Sequence, residues 1–127
     1  MKQILLATAL ILAPVGAFTA FQITFVGSAQ ATASLGDLSA LKVIIGDVQK
    51  FAAAGDFAGA STRITDWESA WDTSAAGMRP LNPAAWSNID FASDAALDAV
   101  RAKAPTADAV TPALAALMAA LENPAAN

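Results

Sequence analysis

Three residue types that carry much of protein chemistry are missing from this 127-residue chain, which has no histidine, no cysteine and no tyrosine. Without cysteine, disulfides and lipid attachment through an N-terminal thioether are excluded. Without histidine or cysteine, the usual zinc and iron–sulfur sites, c-type haem attachment and histidine-ligated haem are excluded as well. The same absences remove the Glu-x-x-His pairs of di-iron bundles and the Ser-His and Cys-His nucleophile systems. The sequence therefore predicts no metal site, no cofactor and no enzymatic activity.

Charged residues are also few, at 14% of the chain, and most of them are acidic. Of the seven Lys and Arg residues, one is Lys2. The chain after Ala31 therefore has six Lys and Arg against eleven Asp and Glu, a net charge of −5. Phosphate binding requires clustered positive charge, so this composition argues against a nucleic-acid partner and against docking on anionic lipid. A modest acidic surplus is typical of a solvated surface. The partners left open are another protein or a small ligand.

The first thirty or so residues differ from the rest. Lys2 is followed by an uncharged apolar run over residues 4–26 and by SAQA at residues 28–31, with small residues at the two positions that a signal peptidase reads. This pattern predicts a secretory signal over residues 1–31 and a mature domain over residues 32–127. The alternative is an uncleaved membrane anchor, because the apolar run would span roughly 34 Å as a helix, enough for a ~30 Å hydrocarbon core. Both interpretations place the remainder outside the cytoplasm, in the periplasm or another extracytoplasmic space.

The remainder is rich in alanine, and its apolar residues recur at steps of three and four, which predicts amphipathic helices. Four such runs occur, at residues 35–52, 57–78, 86–100 and 110–121. Alternation typical of strands is absent. Because only a few residues connect successive runs, neighbouring helices are expected to run antiparallel. The sequence predicts an all-α fold, a small antiparallel up-down bundle of about four helices after the N-terminal segment.

Capping signals predict where the first two helices begin and end. Ser34 and Asp37 have the capping-box spacing, so we expect the first helix to begin at Ser34. Gly55 is suited to a left-handed C-terminal cap and Asp56 to the N-cap of the second helix. Gly46 lies inside the first helix, where it costs about 1 kcal/mol relative to alanine. We expect it to permit close packing or a bend.

Prolines mark the later helices. Asn82 followed by Pro83 predicts the start of the third helix, with an N-cap side chain and proline at the first helical position. Pro112 does not fit a regular helix interior. The fourth helix therefore begins either at the residue before Pro112, or near Thr106 with a kink. We expect a ragged start, with the regular part over residues 111–122.

Acidic side chains provide two weaker candidates for chemistry. Asp90, Asp94 and Asp98 fall at successive fourth positions of the third run, and Arg101 closes this stripe. Carboxylates bind hard cations, but a straight helix spreads these groups about 6 Å apart along its axis, so a solvated face is favoured. A catalytic acid pair could also be assembled, but nothing in the sequence selects one among Asp66, Glu68, Asp72 and Asp90.

The segment RITDWESAWD, residues 63–72, places two tryptophans four residues apart. Trp67 and Trp71 lie on the apolar stripe of the second run. A buried indole removes roughly 150–250 Å² from water, about 4–6 kcal/mol gross at about 25 cal/mol per Å². We therefore expect both rings in the core, with their N–H groups bonded to an acceptor; the alternative is a wet groove floored by these rings and Trp86. The large side chains expected to supply most of the core are Phe51, Phe57, Trp67, Trp71 and Trp86, with the Leu and Ile residues.

If the domain binds a ligand, the candidate residues lie in and beside the tryptophan segment: Arg63, Trp67, Trp71, Asp72, Arg79 and Trp86. We expect the site where Trp71, Asp72 and Arg63 meet the start of the Trp86 helix. Arg79, before Pro80, is expected to cap or pair locally, with anion binding as the alternative.

Residues 55–90, GDFAGASTRITDWESAWDTSAAGMRPLNPAAWSNID, resemble a group of small exported bacterial α-helical proteins. The shared pattern is D-F near a helix start, T-R-I-x-D-W/F-E-x-A-W-D, then L/M-R-P, P-A-A-W and I-D. The resemblance extends over about residues 35–121 and implies export and a helical fold. It carries over no functional residue, because no activity is established for that group.

These observations predict an exported, non-catalytic helical binding or accessory module with a protein partner or a small ligand. The alternative is a membrane-anchored structural or interaction protein with an extracytoplasmic helical domain. In that case the membrane is contacted only through residues 4–26.

Overall fold

Residues 34–125 are described by a computed structural model and form four α-helices. These are α1 (Ser39–Ala53), α2 (Phe57–Met78), α3 (Pro83–Val100) and α4 (Ala107–Glu122). Within the described range there is no strand, and no helix combines the length and hydropathy needed to cross a membrane. The predictions of a signal or anchor and of a domain boundary after Ala31 lie outside the described residues.

Each helix packs against two others: α1 lies against α2 and α4, and α3 lies against α2 and α4. The connections, residues 54–56, 79–82 and 101–106, are short enough to make successive helices antiparallel. Between residues 34 and 125, the diagonal pairs α1/α3 and α2/α4 do not approach each other closely. The structure is an up-down four-helix bundle, and the predicted fold class is confirmed.

Except for Ala85, which precedes the third predicted run, the buried helical residues lie on the predicted stripes. In α4 the buried residues are the four whose spacing indicated a helix. Ala52, Ala60, Ala85 and Ala96 are buried beside larger aliphatic residues and two indoles, so a few large side chains supply most of the apolar area. The buried helical positions are Leu41, Ile45, Val48 and Ala52 in α1, Ala60, Ile64, Trp67 and Trp71 in α2, Ala85, Ile89, Ser93, Ala96 and Val100 in α3, and Val110, Leu114, Leu117 and Leu121 in α4.

The turn between α1 and α2 follows its local sequence. Gly55 has φ +74°, and its N–H donates to Ala52 O at 3.0 Å while the Asp56 N–H donates to Phe51 O at 2.9 Å. This pair of hydrogen bonds is the Schellman arrangement, which requires a left-handed residue. Asp56 then caps α2, because its Oδ1 accepts the Gly59 N–H at 2.8 Å. Both capping predictions are confirmed.

The predicted start of the first helix is wrong. Gly36 adopts φ +92°, a left-handed conformation that a helix starting at Ser34 would not contain. Ser34 Oγ accepts the Gly36 N–H at 3.2 Å, and Asp37 Oδ1 accepts the Ser39 N–H at 2.9 Å. These side chains therefore stabilise a local turn, and α1 begins only at Ser39. Leu35, inside this turn, is nevertheless buried against the bundle.

The prediction of a regular fourth helix from residue 111 is also wrong. α4 begins at Ala107 and runs through Pro112, so the start near Thr106 is the one that occurs. Thr106 is the N-cap, and its side chain accepts the Ala109 N–H at 3.3 Å. The earlier start places Val110, which is fully buried, on the inner face of the helix. Burial of that side chain favours the extra turn despite the missing N–H of proline.

Two further expectations are corrected by the packing. Phe51 was expected in the core but is 39% exposed, because it lies on the outer side of the last turns of α1. Gly46 was expected to permit close packing or a bend; close packing is wrong, because a Cβ at this position would meet nothing within 4 Å. Phe57 and Trp86 are only partly buried and pack against the edge of the core. The third helix begins as predicted, with the Asn82 side chain accepting the Ala85 N–H at 3.1 Å and Pro83 at the first helical position.

Candidate binding site at a tryptophan column

The three tryptophans of the chain form one continuous stack, which we call the tryptophan column (Trp67, Trp71 and Trp86). Trp67 and Trp71 lie one turn apart on α2, so their side chains leave the helix on the same face. Their ring centroids are 5.5 Å apart and their planes differ by 12°. Trp86 joins from the first turn of α3, with its centroid 5.7 Å from that of Trp71 and an interplanar angle of 10°.

A cation ends the column at the surface. The Cζ atom of Arg79 lies 4.9 Å from the centroid of Trp86, in a cation–π contact. Arg79 follows the last residue of α2, and its N–H donates to Ala75 O. Arg79 is thus the C-cap residue of α2 through its backbone. Among residues 34–125 its guanidinium forms no ion pair with a carboxylate, unlike Arg63 and Arg101.

The indole N–H groups of the column meet three different surroundings. Trp67 Nε1 donates to Ser93 Oγ at 2.6 Å in the buried core. Trp71 Nε1 donates to Asp90 Oδ1 at 2.9 Å at a partly buried position. Trp86 Nε1 is buried, and no acceptor is within hydrogen-bond range in the described residues. The column therefore combines a neutral acceptor, an anionic acceptor and an unsatisfied donor.

Burial distinguishes the two interpretations of the tryptophans. Trp67 is 0% exposed and Trp71 is 3% exposed, so both rings are core, as their positions on the stripe predicted. An open groove floored by all three rings is therefore wrong. Trp86 alone reaches the surface, and ligand binding by any of these residues stays a prediction.

Arg63 lies on a different seam of the bundle from Trp86. Its Nη2 is 2.9 Å from Asp47 Oδ2 on α1, and its Nη1 is 2.8 Å from Asp66 Oδ2 on α2. The hydrogen bond to Asp66 and, to a smaller extent, the one to Asp47 raise the pKa of Arg63. Because Arg63 is held against α1, the structure does not bring it to the start of α3. Asp72 is exposed on α2 beside Trp71.

The predicted acidic stripe of α3 is divided by the packing. Asp90 bonds to Trp71 instead of lying on a solvated face, whereas Asp94 and Asp98 are exposed as expected. Arg101 leaves the stripe and pairs with Glu68 of α2, with its Nη2 2.7 Å from Glu68 Oε2. The Glu68 hydrogen bond raises the pKa of Arg101, and the Arg101 hydrogen bond lowers that of Glu68.

Sequence reasoning missed the two acceptors of the column, Ser93 and Asp90. A signal existed for Ser93, because it is a polar residue on an otherwise apolar stripe, and a buried hydroxyl requires a partner. Asp90 had no comparable signal, since it follows the same four-residue spacing as two exposed acids. Its role depends on how α3 is rotated against α2.

Three concave surfaces of the described residues include no tryptophan of the column in their lining. A cavity of about 350 Å³ at one end of the bundle is lined by residues 34–39, by Asn82 and by the end of α4. An apolar groove of about 680 Å³ between α3 and α4 is bordered by Phe91, which is 80% exposed. A shallow hollow of about 520 Å³ surrounds Phe51 and Arg63. No cluster of three or more acidic side chains able to hold a metal ion occurs in residues 34–125.

Compared with models of protein families, with curated proteins and with solved structures, the chain finds no match in any of the three. The resemblance to small exported helical proteins therefore stays a prediction.

Proposed function

We propose that this protein is an exported, non-catalytic binding or accessory module whose candidate site is the surface end of the tryptophan column. One observation carries the proposal. Arg79 stacks on the partly buried Trp86 without a carboxylate partner among residues 34–125, and the Trp86 N–H has no acceptor there. The exposed Arg79 guanidinium is a charged hydrogen-bond donor that is stabilised by an acceptor supplied from outside. The Trp86 N–H is buried, so it meets such an acceptor only if the indole ring moves. The ligand group expected here is an acceptor such as a carboxylate, phosphate or amide carbonyl.

The rest of the molecule supports a scaffold role for the bundle. Trp67 and Trp71 are held by hydrogen bonds to α3, and Pro83 and Asn82 set the position of the first turn that carries Trp86. A site built on rigid elements keeps its groups in place before a ligand arrives. The absence of histidine and cysteine from the whole sequence removes the common nucleophile and general-base pairs.

Indole N–H resonances provide a direct test of the site. The three tryptophans give three indole signals, which can be followed while acetate, inorganic phosphate or acetamide is added. We expect one of these probes to shift the Trp86 signal more than the Trp67 signal, and Arg79→Gln to remove the shift. Arg63→Gln is the matched control, because Arg63 lies on the α1 side of α2. A probe-induced shift that is absent from the Trp86 signal, or that is still present in Arg79→Gln, contradicts this site.

Export is a separate part of the proposal and has its own test. The pattern of residues 1–31 supports cleavage, which would give a mature N-terminus at Thr32. N-terminal sequencing of the protein recovered from its native compartment distinguishes this from an anchored protein that begins at Met1. Recovery in the cytoplasm contradicts both.

A second candidate function is a membrane-anchored structural or interaction protein. It is favoured by the exposed Phe91 beside the alanine-lined surface of α3 and α4. Retention of Met1 together with partition into the membrane fraction is the result expected for this alternative. A mature chain that begins at Thr32 contradicts it.

A further inference from the structure

The tryptophan column connects the surface to the core through aromatic rings alone. The two centroid distances, 5.5 Å and 5.7 Å, and the interplanar angles of 12° and 10° are those of stacked aromatic pairs. The chain has no tyrosine, cysteine or histidine, so its three tryptophans and three methionines are its readily oxidised side chains. A π-stacked indole gives up one electron more easily than an isolated one, because the positive charge left behind is shared with its neighbour. The column is therefore the preferred place for a one-electron vacancy in this protein.

Charge along the column is asymmetric. The Arg79 guanidinium lies over Trp86, and a neighbouring positive charge disfavours an electron vacancy on that ring. The Asp90 carboxylate accepts from Trp71, and a neighbouring negative charge favours a vacancy there. Both groups lie within a few ångströms of their rings, and partial burial of the Trp71–Asp90 contact limits screening by water. A vacancy created at the surface is thereby drawn inward from Trp86 to Trp71.

The hydrogen bonds of the column then decide where a proton goes. An indole that has lost an electron is a much stronger acid than neutral indole, and it releases its N–H proton to a base. Trp71 has a carboxylate oxygen 2.9 Å from Nε1. Trp67 has only the weakly basic hydroxyl of Ser93, and Trp86 has no acceptor in the described part of the chain. Trp71 is the one ring of the column with a base already in position.

We infer that Trp71 and Asp90 form a proton-coupled site of one-electron oxidation that is reached from the surface through Trp86. The substrate class is an outer-sphere one-electron oxidant. One electron passes from Trp71 through Trp86 to the oxidant, whose oxidation state falls by one. The Nε1–H bond of Trp71 breaks and an O–H bond forms on Asp90, which leaves a neutral indolyl radical. A one-electron reductant reverses the step, and the proton returns to Nε1. This inference does not depend on ligand binding at Arg79.

Flash photolysis of the full chain with tris(bipyridine)ruthenium and a sacrificial quencher tests the proton step. Transient absorption separates the protonated radical cation from the neutral indolyl radical. In the unaltered protein we expect the neutral radical to form at a rate that is independent of buffer concentration, because the base is internal. Asp90→Asn keeps an oxygen that accepts the hydrogen bond but removes the base. The radical cation should then persist several-fold longer, and its decay should depend on buffer.

Two further variants separate chemistry from packing. Asp94→Asn, one turn further along α3 at an exposed position, is the matched control and should behave as the unaltered protein. Asp90→Glu disturbs the packing of the contact but keeps a carboxylate, so it should restore a rate that is independent of buffer. Radical cation lifetimes that are equal in the unaltered protein and in Asp90→Asn overturn the assignment of Asp90. A buffer-dependent rate in Asp90→Glu overturns it as well.

The route through Trp86 has its own test. Trp71 is 3% exposed and Trp67 is 0% exposed, so a bulky oxidant reaches neither ring directly. Trp86→Phe replaces the surface ring with one that is much harder to oxidise. We expect it to slow radical formation several-fold, whereas Phe91→Leu, which removes an exposed aromatic ring elsewhere, should have no effect. An unchanged rate in Trp86→Phe shows that the column is not the route.

Discussion

Gly59 leaves room for two neighbours at the junction of α1 and α2. A Cβ at this position would lie 2.5 Å from Oδ2 of Asp56 and 2.7 Å from Cδ1 of Phe51. Asp56 is the N-cap of α2, and its other carboxylate oxygen accepts the Gly59 N–H at 2.8 Å. Gly59→Ala therefore displaces both the capping carboxylate and the Phe51 ring that covers this turn.

The change in the free energy of unfolding follows from one stabilising and two destabilising contributions. Alanine favours a helix over glycine by about 1 kcal/mol. Loss of an N-cap costs about 0.5–2 kcal/mol, and each Å² of ring surface that Phe51 newly exposes costs about 25 cal/mol. We expect Gly59→Ala to leave the free energy of unfolding unchanged or lower it by about 1 kcal/mol. Gly46→Ala is the matched control on α1: nothing lies within 4 Å of its Cβ, so it should gain the full increment of about 1 kcal/mol.

Urea unfolding followed by tryptophan fluorescence measures both variants, since the buried indoles of α2 report on the fold. The expected gap between the two is about 1–2 kcal/mol in the free energy of unfolding. For a domain of this size 1 kcal/mol corresponds to about 4–8 °C in Tm. In an Asp56→Ala background the cap is already lost, so Gly59→Ala should become less costly there than in the unaltered protein.

Equal stabilisation by Gly59→Ala and Gly46→Ala would refute this reasoning, because it would mean that the displaced carboxylate and ring cost nothing. A cost at Gly59 that is the same with and without Asp56 would refute the part assigned to the cap. The remaining cost would then belong to Phe51.

Three further predictions concern other contacts of the bundle. Ser93→Ala leaves the fully buried Trp67 N–H without an acceptor and should lower the free energy of unfolding by about 1–3 kcal/mol, measured in urea. Pro112→Ala restores an N–H inside α4 and should raise that free energy by up to about 2–3 kcal/mol, less about 0.4–1 kcal/mol for added freedom in the unfolded chain. Because Arg101 lowers the pKa of Glu68, the pair should stabilise the fold above the ordinary glutamate range and lose this effect as pH falls through the lowered pKa. Urea midpoints across acidic pH should show this loss, and Glu68→Gln should remove it.

Matched variants make these predictions specific. Ser87→Ala, exposed on α3, should change stability by less than about 0.5 kcal/mol, and a loss equal to that of Ser93→Ala would mean that the Trp67 hydrogen bond is not the cause. Thr111→Ala, exposed beside the proline of α4, isolates the effect of proline from that of adding alanine. If Pro112→Ala raises the free energy of unfolding no more than Thr111→Ala does, the missing proline N–H is not what destabilises α4. Asp98→Asn should leave the acid dependence intact, since that side chain is exposed and lies outside the Glu68–Arg101 pair.

The helices were predictable because their signals are local. Apolar spacing in the fourth run selected Val110, Leu114, Leu117 and Leu121, and all four are buried. Gly55 was also predictable, because few residue types other than glycine adopt the left-handed conformation that ends a helix in this way. The errors at Ser34 and Pro112 arose where a local signal competed with tertiary burial. Leu35 and Val110 are buried in the structure, and capping rules alone do not include that contribution.

The candidate site was only partly predictable from the sequence. The stripe position of Trp67 and Trp71 correctly indicated core, but it gave no information on which charged residues would meet them. Arg63 and Arg79 were equal candidates in the sequence; the packing holds one against Asp47 of α1 and the other over Trp86.

By itself the sequence determined that this chain forms an Ala-rich helical bundle with two buried indoles, because hydrophobic period, caps and turns act within a few residues. It also excluded, by composition, the chemistry of histidine, cysteine and tyrosine. Only the tertiary structure decided that Trp86 stacks on Trp71 and that Asp90 accepts the N–H of Trp71. These contacts depend on the rotation of α3 about its axis and its height along α2, which are set by the joint packing of all four helices. A sequence pattern read along one helix does not contain those two quantities.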